Sequence, residues 1–97
     1  MRKERNEAIE ELYQILVDLD RVEDCEAFLD DLCTIKELQD LSQRWQVAKL
    51  LHAGKNYQEI SGVTGASTAT ICRVNKCLMY GSGGYVAALK KTDDTEN

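Results

Sequence analysis

Proline is absent from the 97 residues. Helices can therefore run without a break, and no proline-rich linker or recognition segment exists. No apolar run approaches the roughly 18 residues that cross a membrane as a helix. The first residues, Met1-Arg2-Lys3-Glu4-Arg5, lead into an amphipathic pattern without the apolar segment of a secretory signal, and a cytoplasmic protein is expected. The four cysteines, Cys25, Cys33, Cys72 and Cys77, show no C-x-x-C pair, and the single histidine, His52, stands apart from them. A structural zinc site uses ligands two to four residues apart, so no metal is expected, and reduced cysteines acting as small apolar side chains fit better. No stretch alternates apolar and polar residues with period two, so no strand is expected. Internal repeats are also missing. His52 has no nucleophile or carboxylate at motif spacing, which leaves catalysis unsupported; neither an enzyme nor a bound cofactor is expected.

What is present is helical periodicity. Ile9, Leu12, Leu16 and Leu19, with Tyr13 beside them, predict an amphipathic helix over about 3–19. Val22, Cys25, Phe28, Leu29 and Leu32 predict a second over about 23–32. Thr34 followed by Glu37 is a capping box, in which each side chain satisfies a free backbone N–H at a helix start. It opens a long third helix to about His52, with Leu38, Leu41, Trp45, Ala48 and Leu51 on the buried face and Gly54 ending it. Asn56 caps a short fourth helix, 57–64, which Gly65 breaks. Ser67 caps a fifth, running to about Tyr80 with Ile71, Val74 and Leu78 inward. Gly81-Ser82-Gly83-Gly84 reads as a flexible stop; it lacks the preceding strand and the lysine of a phosphate loop. A short last helix follows over 85–91, then a polar tail, 92–97, expected to be disordered. The chain reads as one small domain over 1–91. At this length folding buries only about 60–65% of the surface that the unfolded chain exposes, which favours a core shared between two copies.

The net charge of −5 at first argues against a nucleic-acid partner, but it is unevenly spread. Residues 1–41 hold five Lys/Arg against thirteen Asp/Glu, a net of −8. Residues 42–91 hold seven Lys/Arg (Arg44, Lys49, Lys55, Arg73, Lys76, Lys90 and Lys91) against Glu59 alone, a net of +6. Binding to phosphates depends on the local basic surface, so a nucleic-acid face belongs in the second half.

The segment from Tyr57 to Leu78 fits a helix-turn-helix, in which the second of two short helices enters the major groove. Gly65 supplies the turn residue that tolerates positive φ. Ile60 anchors the first helix, and Ser61 is the small residue expected where the helices cross. Ile71 and Val74 anchor the second. Its other face, Ser67, Thr68, Ala69, Thr70, Cys72 and Arg73, is small and polar, so it can sit deep in a groove. Serine and threonine hydroxyls serve bases or phosphates, and threonine methyls can meet thymine methyls. A tight helical hairpin that only packs is the competing structural reading, and a helical dimer acting as a protein-interaction module without DNA binding is the competing function.

Gly65-Ala66, Ala69-Thr70-Ile71 and Arg73, with Leu50-Leu51 upstream, resemble the Trp repressor superfamily. Asn75-Lys76-Cys77-Leu78 and Tyr80 to Tyr85 resemble its small YerC/YecD-type TrpR-related proteins. The resemblance covers about 34–85; the first two helices match in length and order only. It implies an all-α, six-helix subunit and an interlocked homodimer whose two recognition helices meet successive major grooves, roughly 34 Å apart, on a palindromic operator. It implies a DNA-binding transcriptional regulator, a repressor that blocks a promoter by occupancy, with Gln58, Ser67, Thr68, Ala69, Thr70, Cys72, Arg73 and Lys76 at the DNA. Gln58 stands where the family has a base-reading arginine, and glutamine can read adenine. Thr68, Ala69 and Cys72 are expected at base edges, and Ser67, Thr70, Arg73 and Lys76 at phosphates. Arg73 has two open readings, a phosphate contact or an ion-pair partner left from a ligand pocket. That pocket would comprise Arg44, Thr70, Arg73, Val74 and Cys77, with Arg44 matched only through a one-residue gap. Val74 replaces the glycine that gives an indole room, and Cys77 replaces a serine near the ligand amine. L-tryptophan is therefore not the expected effector.

Overall fold

The computed structural model describes residues 6–96. They form six helices, and no strand occurs among them. In order these are α1 (Glu7–Asp18), α2 (Val22–Leu32), α3 (Ile35–His52), α4 (Tyr57–Thr64), α5 (Thr68–Tyr80) and α6 (Gly84–Glu96). Four of the starts follow directly from capping chemistry. Asn6 accepts the Ile9 N–H at 2.9 Å. Thr34 and Glu37 form their reciprocal pair at 3.0 and 2.8 Å. Asn56 and Glu59 form a second capping box, at 2.9 and 3.0 Å, and Ser67 accepts the Thr70 N–H at 3.1 Å. Because Asn6 starts α1, that helix begins at Glu7; the expected start at Lys3 lies outside the described residues.

The chain, read from its sequence as one domain, divides within α3 into two compact units, one up to Gln39 and one from Asp40. In the first, α1 and α2 bury no side chain. Ile9, Leu12, Leu19, Cys25, Phe28 and Leu29 are half-buried, whereas Val17 is 75% and Val22 80% exposed. Two amphipathic helices of 12 and 11 residues thus leave apolar side chains in solvent.

The core belongs to the second unit. Val47, Ala48, Ile60, Ala66, Ile71 and Val74 are buried together, with Trp45, Leu50, Leu51, Tyr57, Leu78 and Tyr85 packed against them. The expected α3 face is corrected in two places. Val47 is buried, and Leu41 is 47% exposed. Trp45 stacks on Tyr85 of α6, ring centroids 6.5 Å apart and planes 11° from parallel.

Two expectations near the C-terminus change. Gly81 to Gly84 is a built turn. Gly81 ends α5, its N–H donating to the Cys77 carbonyl at 2.9 Å. A β-carbon there would stand 2.5 Å from that same carbonyl oxygen, so any other residue would force the end of α5 to shift. Gly83 takes φ +90°, a left-handed conformation that glycine adopts without penalty. The helix that follows runs to Glu96, so the tail read as disordered from 92 is helical that far. No proline or glycine interrupts it, and the Thr92 hydroxyl donates to the Ala88 carbonyl at 3.1 Å. His52, which has no carboxylate at motif spacing, meets Asp93 of α6 at 3.0 Å. The two are 41 residues apart in sequence, so no local pattern could pair them.

Candidate nucleic-acid interface

The turn between α4 and α5 is fixed at several points. Gly65 has φ 73° and ψ 6°, and its N–H donates to the Ser61 carbonyl at 2.8 Å. The Thr64 hydroxyl donates to the Ile60 carbonyl at 2.7 Å and accepts the Ala66 N–H at 3.1 Å. Gln43 reaches across from α3 and donates from Nε2 to the Thr64 carbonyl at 3.1 Å. The small residue buried at the turn is Ala66, 1% exposed, not Ser61, which is exposed. Sequence reasoning singled out Gly65 but missed Thr64 and Gln43. A threonine next to a turn glycine was the available signal, since its hydroxyl can bond the carbonyl four residues back.

Ile71 and Val74 point into the core, 0% and 1% exposed, and fix which face of α5 looks out. On that outward face Ser67, Thr68, Ala69, Cys72, Arg73 and Lys76 are exposed, and Thr70 is half-buried. Gln58 is exposed in the first turn of α4. The first turn of α5 carries no acid. Glu59, the one acid in residues 42–91, has its carboxylate engaged by the Asn56 N–H. The α5 start therefore combines unneutralised amide N–H groups with Arg73 and Lys76 further along the helix, a combination that favours anions.

Ala69, Cys72, Arg73, Lys76 and Cys77 line a shallow open groove of about 500 Å³. Of the five residues expected to form an effector pocket, Arg73 and Cys77 line it; Arg44, Thr70 and Val74 do not. Val74 is part of the core because it follows Ile71 by three residues and shares its inward face. Arg44 is half-buried on α3. A second hollow beside Cys77 is lined by Ser82, Gly84 and Tyr85.

Polar groups of α5 are partly used by the fold itself. The Ser67 hydroxyl accepts the Thr70 N–H and donates to Thr70 Oγ1 at 3.2 Å. Tyr57, half-buried at the start of α4, lies near Cys72 and Asn75 of α5. Burial, and then the neighbouring Cys72, push the Tyr57 phenol above its usual value of 10.0. Tyr57, read from sequence as a packing residue, packs against the core. All four cysteines are free thiols. Among the described residues no three His, Cys, Asp or Glu side chains gather as metal ligands would, and no helix is long and apolar enough to cross a membrane.

Two short helices joined at a left-handed glycine, the second anchored by Ile71 and Val74 with a small polar outer face, define an all-α protein of the helix-turn-helix class. Comparison with known proteins narrows this: residues 7–93 match the family described as Trp repressor protein, and the chain belongs to that family. This is a regulatory, non-enzymatic family whose members generally bind DNA and form dimers. The chain is 46% identical over 94 residues to Bacillus subtilis YerC, itself described as uncharacterized, with 97% of this chain and 90% of that protein covered. Two solved structures are similar to it. One, from Staphylococcus aureus, described as a candidate Trp repressor, has a TM-score of 0.87 and 44% identity, covering 92% of this chain and 89% of that one. The other, a TrpR-like protein from Eubacterium eligens, has a TM-score of 0.88 and 42% identity, covering 92% of each.

Proposed function

We propose that this protein is a sequence-specific DNA-binding transcriptional regulator, a cytoplasmic repressor that acts as a homodimer by occupying a palindromic promoter site. The observation that carries the reading is the face from Ser67 to Lys76. It is exposed except at Thr70, it has no carboxylate, and it is held to the core by Ile71 and Val74. On this reading α5 enters the major groove with Thr68, Ala69 and Cys72 at base edges. Ser67, Thr70, Arg73 and Lys76 approach phosphates, and Gln58 at the start of α4 reaches an adenine. The apolar side chains that α1 and α2 leave exposed support a second copy as their cover, since such a surface favours association. Any effector differs from L-tryptophan, because of the five residues expected to hold it only Arg73 and Cys77 line a common groove, and titration calorimetry with L-tryptophan returns no micromolar heat.

The testing experiment is fluorescence anisotropy on a duplex selected from a random pool, repeated between low and physiological salt. Each neutralised phosphate contributes a slope of about −0.9 in log K against log salt. A steep negative slope is the expected result. A flat slope, or no enriched sequence, overturns the proposal and leaves a helical protein-interaction module. Sedimentation at micromolar concentration is expected to give twice the chain mass.

A further inference from the structure

The reading face has little hydrogen-bonding capacity left for bases. The Ser67 hydroxyl is committed to Thr70, as acceptor from its N–H and donor to its hydroxyl. Thr70 is half-buried. The Cys72 thiol is exposed and is only a weak hydrogen-bonding group. Ala69 has only a methyl group. Thr68 alone, among the exposed residues of the first two turns, keeps a hydroxyl that the fold does not use, and it carries a methyl beside it. No Asn, Gln, Arg, Lys, Asp or Glu occurs between Ser67 and Cys72, so nothing in this stretch can make the paired hydrogen bonds by which proteins read guanine or adenine edges. Arg73 and Lys76 follow one and two turns along, flanking the groove that Ala69 and Cys72 floor. The N-terminal residues of a recognition helix are the ones that meet bases.

We infer that α5 reads its site by apolar contact with thymine 5-methyl groups, Thr68 and Ala69 supplying methyls and Cys72 a soft, polarizable sulfur surface. This rests on the DNA-binding reading above and specifies it: the inner base pairs are A·T, chosen for the methyl rather than for a bidentate hydrogen bond. Cys72 is a specificity residue on this account. Direct apolar contact with a methyl requires a close approach, and the short side chains at 67–72 allow it.

The experiment uses the full-length protein and duplexes enriched from a random pool. Deoxyuridine then replaces thymine, one position at a time, which deletes the methyl and leaves base pairing intact. Burying one such carbon is worth about a fourfold change in affinity. A loss of about fourfold is expected at each inner thymine and none at outer positions. Thr68→Ser, which keeps the hydroxyl and removes the methyl, is expected to abolish the deoxyuridine penalty at one inner position and leave it at the others. Retained helicity in this variant separates the effect from misfolding. Inner positions that select G·C, or deoxyuridine duplexes that bind as well as thymine ones, overturn the inference while DNA binding itself stands. A pool that yields no enriched sequence overturns both.

Discussion

Replacing Gly65 with alanine isolates what the turn between α4 and α5 demands of its backbone. Gly65 has φ 73° and ψ 6°, and a β-carbon built there meets nothing within 4 Å. Steric overlap with neighbours therefore contributes nothing, and the whole effect is the left-handed conformation. That conformation costs an ordinary L-residue about 1–2 kcal/mol. Alanine also narrows the unfolded ensemble, which offsets roughly 0.4–1 kcal/mol. The net loss is about 1 kcal/mol. For a domain of 60–100 residues this lowers Tm by about 4–8 °C. Asparagine tolerates positive φ better than alanine, so Gly65→Asn is expected to lose less. Thermal unfolding by far-UV circular dichroism, at one fixed protein concentration because association shifts Tm, measures the series wild type, G65N, G65A. An alanine variant as stable as wild type would refute the reasoning, because the left-handed turn would then not be required. A loss above about 3 kcal/mol would refute it differently, by exposing a clash that the open space around Gly65 excludes.

Gly81→Ala is expected to cost more than G65A, about 1–3 kcal/mol, because its β-carbon would stand 2.5 Å from the backbone oxygen of Cys77 and the end of α5 must move; the same melting series checks the order. Thr64→Val, nearly unchanged in shape, removes the bonds to the Ile60 carbonyl and the Ala66 N–H and is expected to lose about 1–2 kcal/mol in urea unfolding. The raised Tyr57 pKa makes stability fall with rising pH. The unfolded phenol ionises first, near 10.0, so above that pH the native state holds more protons and stability declines; Tyr57→Phe is expected to remove that component from the alkaline limb of the unfolding curve. Thr68→Glu places a carboxylate on the exposed face of α5 and is expected to weaken DNA binding on the order of a hundredfold by like-charge repulsion, with the far-UV spectrum unchanged; retained affinity in a gel-shift assay would count against the placement of Thr68 at the duplex.

The helix pattern was readable because its starts are written in single residues. Thr34 with Glu37, Asn56 with Glu59, and Ser67 each bond a backbone N–H within three residues, so sequence proximity is the physics. The bounds of α4 and α5 follow from this and from Gly65. What sequence did not disclose depends on contacts across the fold. Gln43 and Thr64 are 21 residues apart, and His52 and Asp93 are 41. Val47 and Leu41 exchanged roles because the stripe on α3 could be drawn on two adjacent faces, and only Ile60, Ala66 and Ile71 decide which one is covered. Val74 is core, as its spacing from Ile71 predicts, and does not line the groove in which the resemblance would place it. The end of α6 was missed because a polar sequence after Thr92 gives no stop signal of its own, while the bonds of Thr92 to Ala88 and of Asp93 to His52 support the helix there.

Polar economy at α5 links the fold to how strongly it can bind. The hydroxyl groups that fasten Ser67 to Thr70 restrain the start of α5, which lowers the entropy lost on docking. The same commitments leave it few groups with which to attract a duplex. Apolar contacts of about 0.8 kcal/mol per methyl, added to the salt-sensitive attraction of Arg73 and Lys76, amount to weak binding for one copy. Two copies on one palindromic site add their contributions, and affinities multiply. The apolar side chains that α1 and α2 leave in solvent would then have a direct bearing on DNA binding. On the proposed reading, covering them with a second copy would bring two weak reading faces to one duplex, so occupancy is expected to fall more steeply than linearly when the protein is diluted below its dimer dissociation constant.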